Sequence, residues 1–348
     1  MKVKLIGQGS YGCVYNPGFN CESTIHPGYV SKLVLRNKNS MNEYNIGLDI
    51  KQKIKKYNKY FIIQEKKCTT SRSDLSPAIF NKDMCKILRG DNDKYMILMS
   101  KYVKSVEAHS VISGYKKMHK ILRFMYSVSK RISLLEHADI IHMDMHFANI
   151  LIGTDTKKIY IIDFGLSLNT SYLFINKLPN YDYLEKNIFN PKPDWVYWTI
   201  EYNLLGYIVR RNVTLTKKTI LTCITDYYNS NDKIKLVFPN KTKYISRAFR
   251  YFKRCAKGTK DENVIFLLSM CKSWDYYKLA VHVTSFFINN SIDPFPLLQT
   301  MLAPDDTRLY GDEYIKQLKQ YNSSNTKRIK IKSSGIFVDT LTLSIKDM

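Results

Sequence analysis

The sequence predicts an α+β protein: a small, mainly antiparallel β-sheet region carrying one helix, followed by a larger helical region. Three observations predict it. The chain has 348 residues, 45% hydrophobic and 24% charged, a size and composition suited to about two ordinary globular domains. Up to about residue 101, short apolar runs bounded by glycine-rich or polar turns read as strands. Beyond about residue 104, apolar residues recur at three- and four-residue steps, the period of an α-helix.

Taken in order, residues 2–6 and 12–16 read as strands around a glycine-rich turn, and Tyr29–Leu35 as a third strand. Ile46, Ile50 and Ile54 place a helix over 41–60, with Ser40 as N-cap and Glu43 three residues on, a capping-box pattern. Strands are expected at Tyr60–Gln64 and Tyr95–Met99, around a polar, looped insert at 66–94. In 117–137, Ile121, Leu122, Met125, Val128, Ile132 and Leu135 fall on one stripe. Further helices are expected at 200–211, 215–228, 242–256, 262–270, 275–289, 295–302 and 311–321, with a strand-like stretch at 336–345. The expected organisation is a sheet-rich domain at 1–101, a helical domain at 102–322 and a basic tail at 323–348.

The formal net charge is +24, from 54 Lys+Arg against 30 Asp+Glu. Such an excess favours anionic partners, including nucleic acid, acidic proteins and phosphate-bearing ligands. No apolar run reaches the roughly 18 residues of a membrane helix, and Met1–Ile6 is too short an apolar stretch for a secretory leader. Seven cysteines, with no C-x-x-C pair, are expected to be free thiols in a reducing, cytoplasmic setting.

Three motifs carry chemistry. Gly7-Gln8-Gly9-Ser10-Tyr11-Gly12-Cys13-Val14 is a G-x-G-x-x-G-x-V run between two strands; a dinucleotide fingerprint would lead into a helix instead. His142-Met143-Asp144-Met145-His146-Phe147-Ala148-Asn149 supplies H-x-D-x-x-x-x-N, and Asp163-Phe164-Gly165 follows a strand-like segment. In this order, the glycine run and the Asp-Phe-Gly tripeptide alone would coincide in about one chain in a thousand.

With these motifs the chain resembles the eukaryotic-type protein kinase family over about residues 5–310. The resemblance implies a two-lobed kinase fold that uses ATP and Mg2+ to phosphorylate protein substrates. The backbone of Gly7 to Gly12 would fold over the phosphates, with Ile6, Val14, Val30 and Leu151 around the adenine. Lys32 would hold the phosphates, partnered by Glu43 or, failing that, Glu65. Asp144 would be the catalytic aspartate, and Asn149 and Asp163 the magnesium ligands. Met99 would close the back of the pocket, with Leu98 as the alternative, and Ser100-Lys101-Tyr102 would be the hinge.

Departures from the family narrow the expectation. Met143 stands where members regulated through the activation loop carry an arginine that grips the loop phosphate, implying activity without that phosphate. His146 stands where serine/threonine kinases carry lysine, a pattern similar to aminoglycoside- and choline-type small-molecule kinases. Either Asp194 or Glu201 would pair with Arg308, and Glu201 could equally fill the position of a helical aspartate. The compact start, the insert and the Lys/Asn/Ile/Tyr-rich texture resemble the divergent serine/threonine kinases of large DNA viruses. A scaffold that binds anionic partners without catalysis is the remaining alternative. Lys243, Arg247, Arg250, Arg254 and Lys257 share one helical face that would suit acidic or nucleic-acid-associated partners.

Overall fold

The computed structural model describes residues 3–9, 12–75, 85–90, 92–115, 117–289 and 295–332, the side chains of 288–289, 295 and 322–332 excepted. The chain forms two compact units, Met1–Glu107 with Ala148–Ser167, and Ala108–Phe147 with Leu168–Met348. Residues 148–167, expected with the helical part, thus count with the sheet.

In the first unit β1 (Lys4–Gln8), β2 (Gly12–Asn16), β3 (Tyr29–Leu35), β4 (Lys66–Ser71) and β5 (Lys94–Lys101) form one antiparallel sheet in the order β1-β2-β3-β5-β4. The strand expected at 60–64 is instead β4, inside the insert read as a loop. Phe61 makes only an isolated bridge to Ile161. The period of two sorts this sheet into two faces. Cys13, Tyr15, Leu33, Tyr95, Ile97 and Met99 pack on one, with Phe19, Leu75 and Leu88. Val34, Met96 and Leu98 lie on the other with Met41 and Tyr44 of α1 (Lys38–Lys53). Both faces of β5 are therefore buried, which explains its unbroken apolar run.

Helix α1 begins three residues before its expected start. Asn37 is the N-cap: its side chain accepts from the Ser40 N–H, and the Ser40 hydroxyl accepts from the Asn37 N–H, both at 3.0 Å. Ser40 is thus the far half of the capping box, and Glu43 lies one turn inside the helix, buried.

The free-thiol expectation is overturned for four cysteines. Cys13–Cys85 and Cys21–Cys68 are disulfides closing 72- and 47-residue separations; Cys223, Cys255 and Cys271 are free and buried. Both bridges lie on the Cys13 face of the sheet, where Cys68, opposite Ile97, also points. The first staples β2 to the short 3-10 helix Lys86–Arg89, the second the turn before β3 to β4.

The second unit is mainly helical. In α2 (Met118–His137) the whole predicted stripe is buried. α3 (Ile200–Arg211), α4 (Lys217–Ser230), α5 (Lys241–Phe252) and α6 (Lys260–Leu268) start at Thr199, Thr216, Asn240 and Thr259, each of whose side chains accepts a first-turn N–H. α7 (Trp274–Asn289) and α8 (Gly311–Lys332) follow. Short helices at Ala108–Ile112, Tyr181–Asn187 and Asp232–Val237 escaped the periodicity reading, since each spans two turns or fewer. α8 runs on through the basic Lys327–Lys332, while the strand-like stretch 336–345 lies outside the described residues. No helix among the described residues is long and apolar enough to cross a membrane.

Candidate active site

The ladder of β3 decides which side chains can share a site. Lys32 faces Val14 across one neighbour and Leu98 across the other, and Val30 faces Ser100. Val14, Val30, Lys32, Leu98 and Ser100 therefore share the face that α1 covers. Met99 is opposite Ser31 and lies in the core of the other face, beside Cys13 and Leu33. This removes Met99 from the expected pocket: a residue between Leu98 and Ser100 must point away from Lys32. Leu98, the alternative, is opposite Lys32 and packs against Met41 and Tyr44 of α1, and Ser100 lies opposite Val30 on the same face.

Lys32 is the centre of a buried ionic cluster. Its ammonium donates to both Glu43 oxygens (3.0 and 2.9 Å) and lies 3.1 Å from Asp163 Oδ2. Burial works against its charge, but the two carboxylates outweigh burial and hold its pKa above the ordinary lysine range. Gln64 Nε2 adds a third hydrogen bond to Glu43, at 3.0 Å. Glu65, the alternative partner, instead accepts from the Tyr57 hydroxyl and neighbours Lys101. Asp163 adopts φ +63°, a left-handed backbone that aspartate tolerates better than bulkier residues. After it, Phe164 is buried edge-on to Phe61, and Asn42 of α1 donates to the carbonyls of Gly165 (3.1 Å) and Ser167 (2.9 Å). α1 thus contributes Glu43 to the lysine and Asn42 to the Asp-Phe-Gly segment. Sequence reasoning missed Asn42 and Gln64, whose amides belong to no motif.

Among the motif glycines, Gly12 is required by packing: a Cβ there would lie 2.5 Å from the Leu33 carbonyl oxygen. Gly9 has open space, and its N–H donates to the Gly12 carbonyl at 3.0 Å. Gln8 is exposed, and Ile6 and Gly7 lie beside it in β1, with Gly7 opposite Val14. Ser10 and Tyr11 lie outside the described residues. Leu151 sits in the strand Ile150–Gly153, opposite Tyr160 and Glu107. At the expected hinge, the Tyr102 N–H is already donated to the Gly28 carbonyl at 2.9 Å.

Asn149 is buried, and the Asp163 side chain is about one-third exposed (35%) with Oδ2 on Lys32. Among the described residues no group of three or more His, Cys, Asp or Glu forms a metal cage. An amide oxygen plus one accessible carboxylate suits Mg2+, which binds through one or two protein oxygens and completes its shell with water and phosphate.

In the second unit, Asp144 lies in the loop after the strand Ile140–Ile141. His146 Nε2 is 3.5 Å from Asp144 Oδ2. Burial raises the Asp144 pKa, but His146, with more distant His142 and Lys278, outweighs it and holds the carboxyl down at about 2. Asp275, near the start of α7, accepts from the N–H groups of His142 (2.6 Å) and Met143 (3.0 Å). Asp275, a residue singled out by no motif, therefore reaches this loop where Glu201 does not. Glu201 is instead the partner of Arg308: the pair is buried and bidentate, with Arg308 NH2 at 3.2 Å from Oε2, and Trp274 Nε1 donates to Oε1 at 3.0 Å. The exposed Asp194 is not the partner.

The basic face of α5 is less free than its spacing implied. Arg247 is bidentate on Asp305, and Arg254 lies over the Phe266 ring at 4.4 Å. Lys243, Arg250 and Lys257 remain exposed.

The first unit thus holds the lysine–glutamate–aspartate cluster and the glycine turn, and the second unit holds the Asp144 loop. The family model described as Protein kinase domain matches residues 1–173, a span that contains Lys32, Asp144, Asn149 and Asp163. The α+β fold, an antiparallel sheet followed by helices, agrees with that match. A search of curated proteins finds no match to the chain.

Proposed function

We propose that the protein is a kinase that transfers the γ-phosphoryl group of Mg-ATP to serine or threonine hydroxyls of protein substrates. The observation that carries this reading is Lys32 held at once by Glu43 and Asp163, a fixed cation with no structural need for two carboxylates. Phosphoryl transfer asks a protein mainly for positioning and charge neutralisation, and each residue has a corresponding task. Lys32 supplies fixed positive charge for the phosphates. Gly7, Gly9 and Gly12 allow backbone to approach them, beside Gln8, Ser10 and Tyr11. Ile6, Val14, Val30 and Leu151 offer apolar surface to the base, with Ser100 rather than Met99 behind it. Tyr102 has its carbonyl and ring to offer, since its N–H is engaged. Asn149 and Asp163 would hold Mg2+, which neutralises phosphate charge when bound. Asp144, ionised down to about pH 2, orients the acceptor hydroxyl and takes its proton late, because so weak a base cannot remove it early.

Acidic or nucleic-acid-associated substrates are favoured by the charge of +24 and by exposed Lys243, Arg250 and Lys257. The resemblance to kinases of large DNA viruses, and a place in the host cytoplasm or virion, belong to the same proposal. The test is incubation of purified protein with labelled ATP, Mg2+ and both protein and small-molecule acceptors. Label on protein serine or threonine, lost in Asp144→Ala, is expected. Label confined to small molecules would move the reading to the aminoglycoside- or choline-type kinases that His146 suggests. ATP binding without transfer would make the chain a scaffold.

A further inference from the structure

Below the Asp144 loop, α7 carries two charged residues, Asp275 and Lys278, three positions apart and both buried. Asp275 takes two loop N–H groups, those of His142 and Met143. The Lys278 ammonium donates to the Met143 carbonyl. That carbonyl belongs to the peptide whose N–H is that of Asp144, and the Asp144 N–H donates to His142 Nδ1 at 3.3 Å. The peptide preceding the catalytic side chain is therefore held at both ends. It needs holding, because Met143 has φ +65°, a left-handed conformation that is strained for a residue with a Cβ. A buried ammonium is itself costly unless satisfied; here burial lowers the Lys278 pKa while Asp275 and Asp144 favour its charge.

We infer that Lys278 is a positioning residue for Asp144, a built-in cation that fixes the 142–146 loop without any phosphate on the segment after Gly165. The inference rests on the proposed kinase reading. It names the device that replaces the arginine missing at Met143: the charge comes from the helix beneath the loop and is always in place.

The test compares wild type, Lys278→Met and Lys278→Gln for ATP binding and for kcat and KM, and wild type before and after phosphatase treatment. Lys278→Met keeps the volume and removes the donor, so kcat should fall about 10–100-fold, as expected for a catalytic group misplaced by about 1 Å. KM for ATP and ATP affinity should stay within twofold, since Lys32 and its partners belong to the other unit. Lys278→Gln, which keeps a shorter donor, should fall between the two. Dephosphorylated wild type should keep its full rate. The inference is overturned if Lys278→Met retains kcat within threefold, if KM for ATP rises in step with the loss, or if phosphatase abolishes wild-type activity. The phosphatase arm stands even if both variants fail to fold. Absence of transfer by untreated wild type with ATP binding intact would overturn the kinase reading instead.

Discussion

Glu201→Gln is the sharpest test of what holds the second unit together. The wild-type carboxylate accepts from two Arg308 nitrogens and from Trp274 Nε1, while Arg308 also donates to Ser273 Oγ (3.0 Å) and to the Ala303 carbonyl (2.9 Å). An amide matches the carboxylate in shape but turns one acceptor into an NH2 donor facing an arginine N–H, and it leaves the guanidinium charge uncompensated. Breaking one side of a buried ion pair costs about 3–5 kcal/mol. For a unit of this size that corresponds to roughly 6–20 °C in melting temperature. Urea unfolding followed by tryptophan fluorescence is a selective assay, since all three tryptophans, Trp195, Trp198 and Trp274, belong to the second unit. The double variant Glu201→Leu/Arg308→Met should be no less stable than the single one, because it removes both charges together. A loss below about 1 kcal/mol for Glu201→Gln would refute the reasoning, showing the pair to be as weak as an exposed one.

Four further outcomes are expected. Lys32→Met should lower transfer by about 10²–10³-fold, the loss typical of removing one fixed charge-stabilising group, measured as initial rate at saturating ATP; a loss under tenfold would contradict its role. Ser100→Phe should raise KM for ATP by crowding the face of Val30 and Lys32, whereas Met99→Ala should leave it unchanged and cost about 2–5 kcal/mol as a core truncation; the reverse pattern would restore Met99 to the pocket. The depressed pKa of Asp144 keeps it ionised above about pH 2, so the acid limb of kcat/KM should not be set by Asp144 above pH 4. In His146→Ala burial is less opposed and the Asp144 pKa rises, read as the carboxyl titration of Asp144 by NMR; an unmoved titration would show that His146 does not tune Asp144. Non-reducing peptide mapping should find Cys13 linked to Cys85 and Cys21 to Cys68, and Cys13→Ser should cost the first unit about 2–4 kcal/mol without changing the tryptophan-reported transition. Recovery of all seven cysteines as alkylated thiols from unreduced protein would refute the pairing.

The motifs of the candidate site were legible in the sequence because each depends on residues close together in the chain. The glycine run, the His142–Asn149 octet and Asp163-Phe164-Gly165 each occupy one short stretch. Long, strongly periodic helices such as α2 were legible for the same local reason, and Glu43 was correctly drawn to Lys32 because few glutamates stand on that helix. What tertiary structure alone decided is what depends on contacts distant in sequence. Strand register put Met99 in the core and Ser100 beside Val30, because a shift of one residue reverses the face and nothing local sets the pairing. Glu201 rather than Asp194 met Arg308, 107 residues away, and Asp275 and Lys278 reached the Asp144 loop from over 130 residues on. Cysteines 72 and 47 residues apart became partners that no spacing rule predicts. The sequence by itself determined the α+β class and the local motifs; only the fold decided which buried charges meet, since a buried charge is satisfied by whichever partner packing delivers.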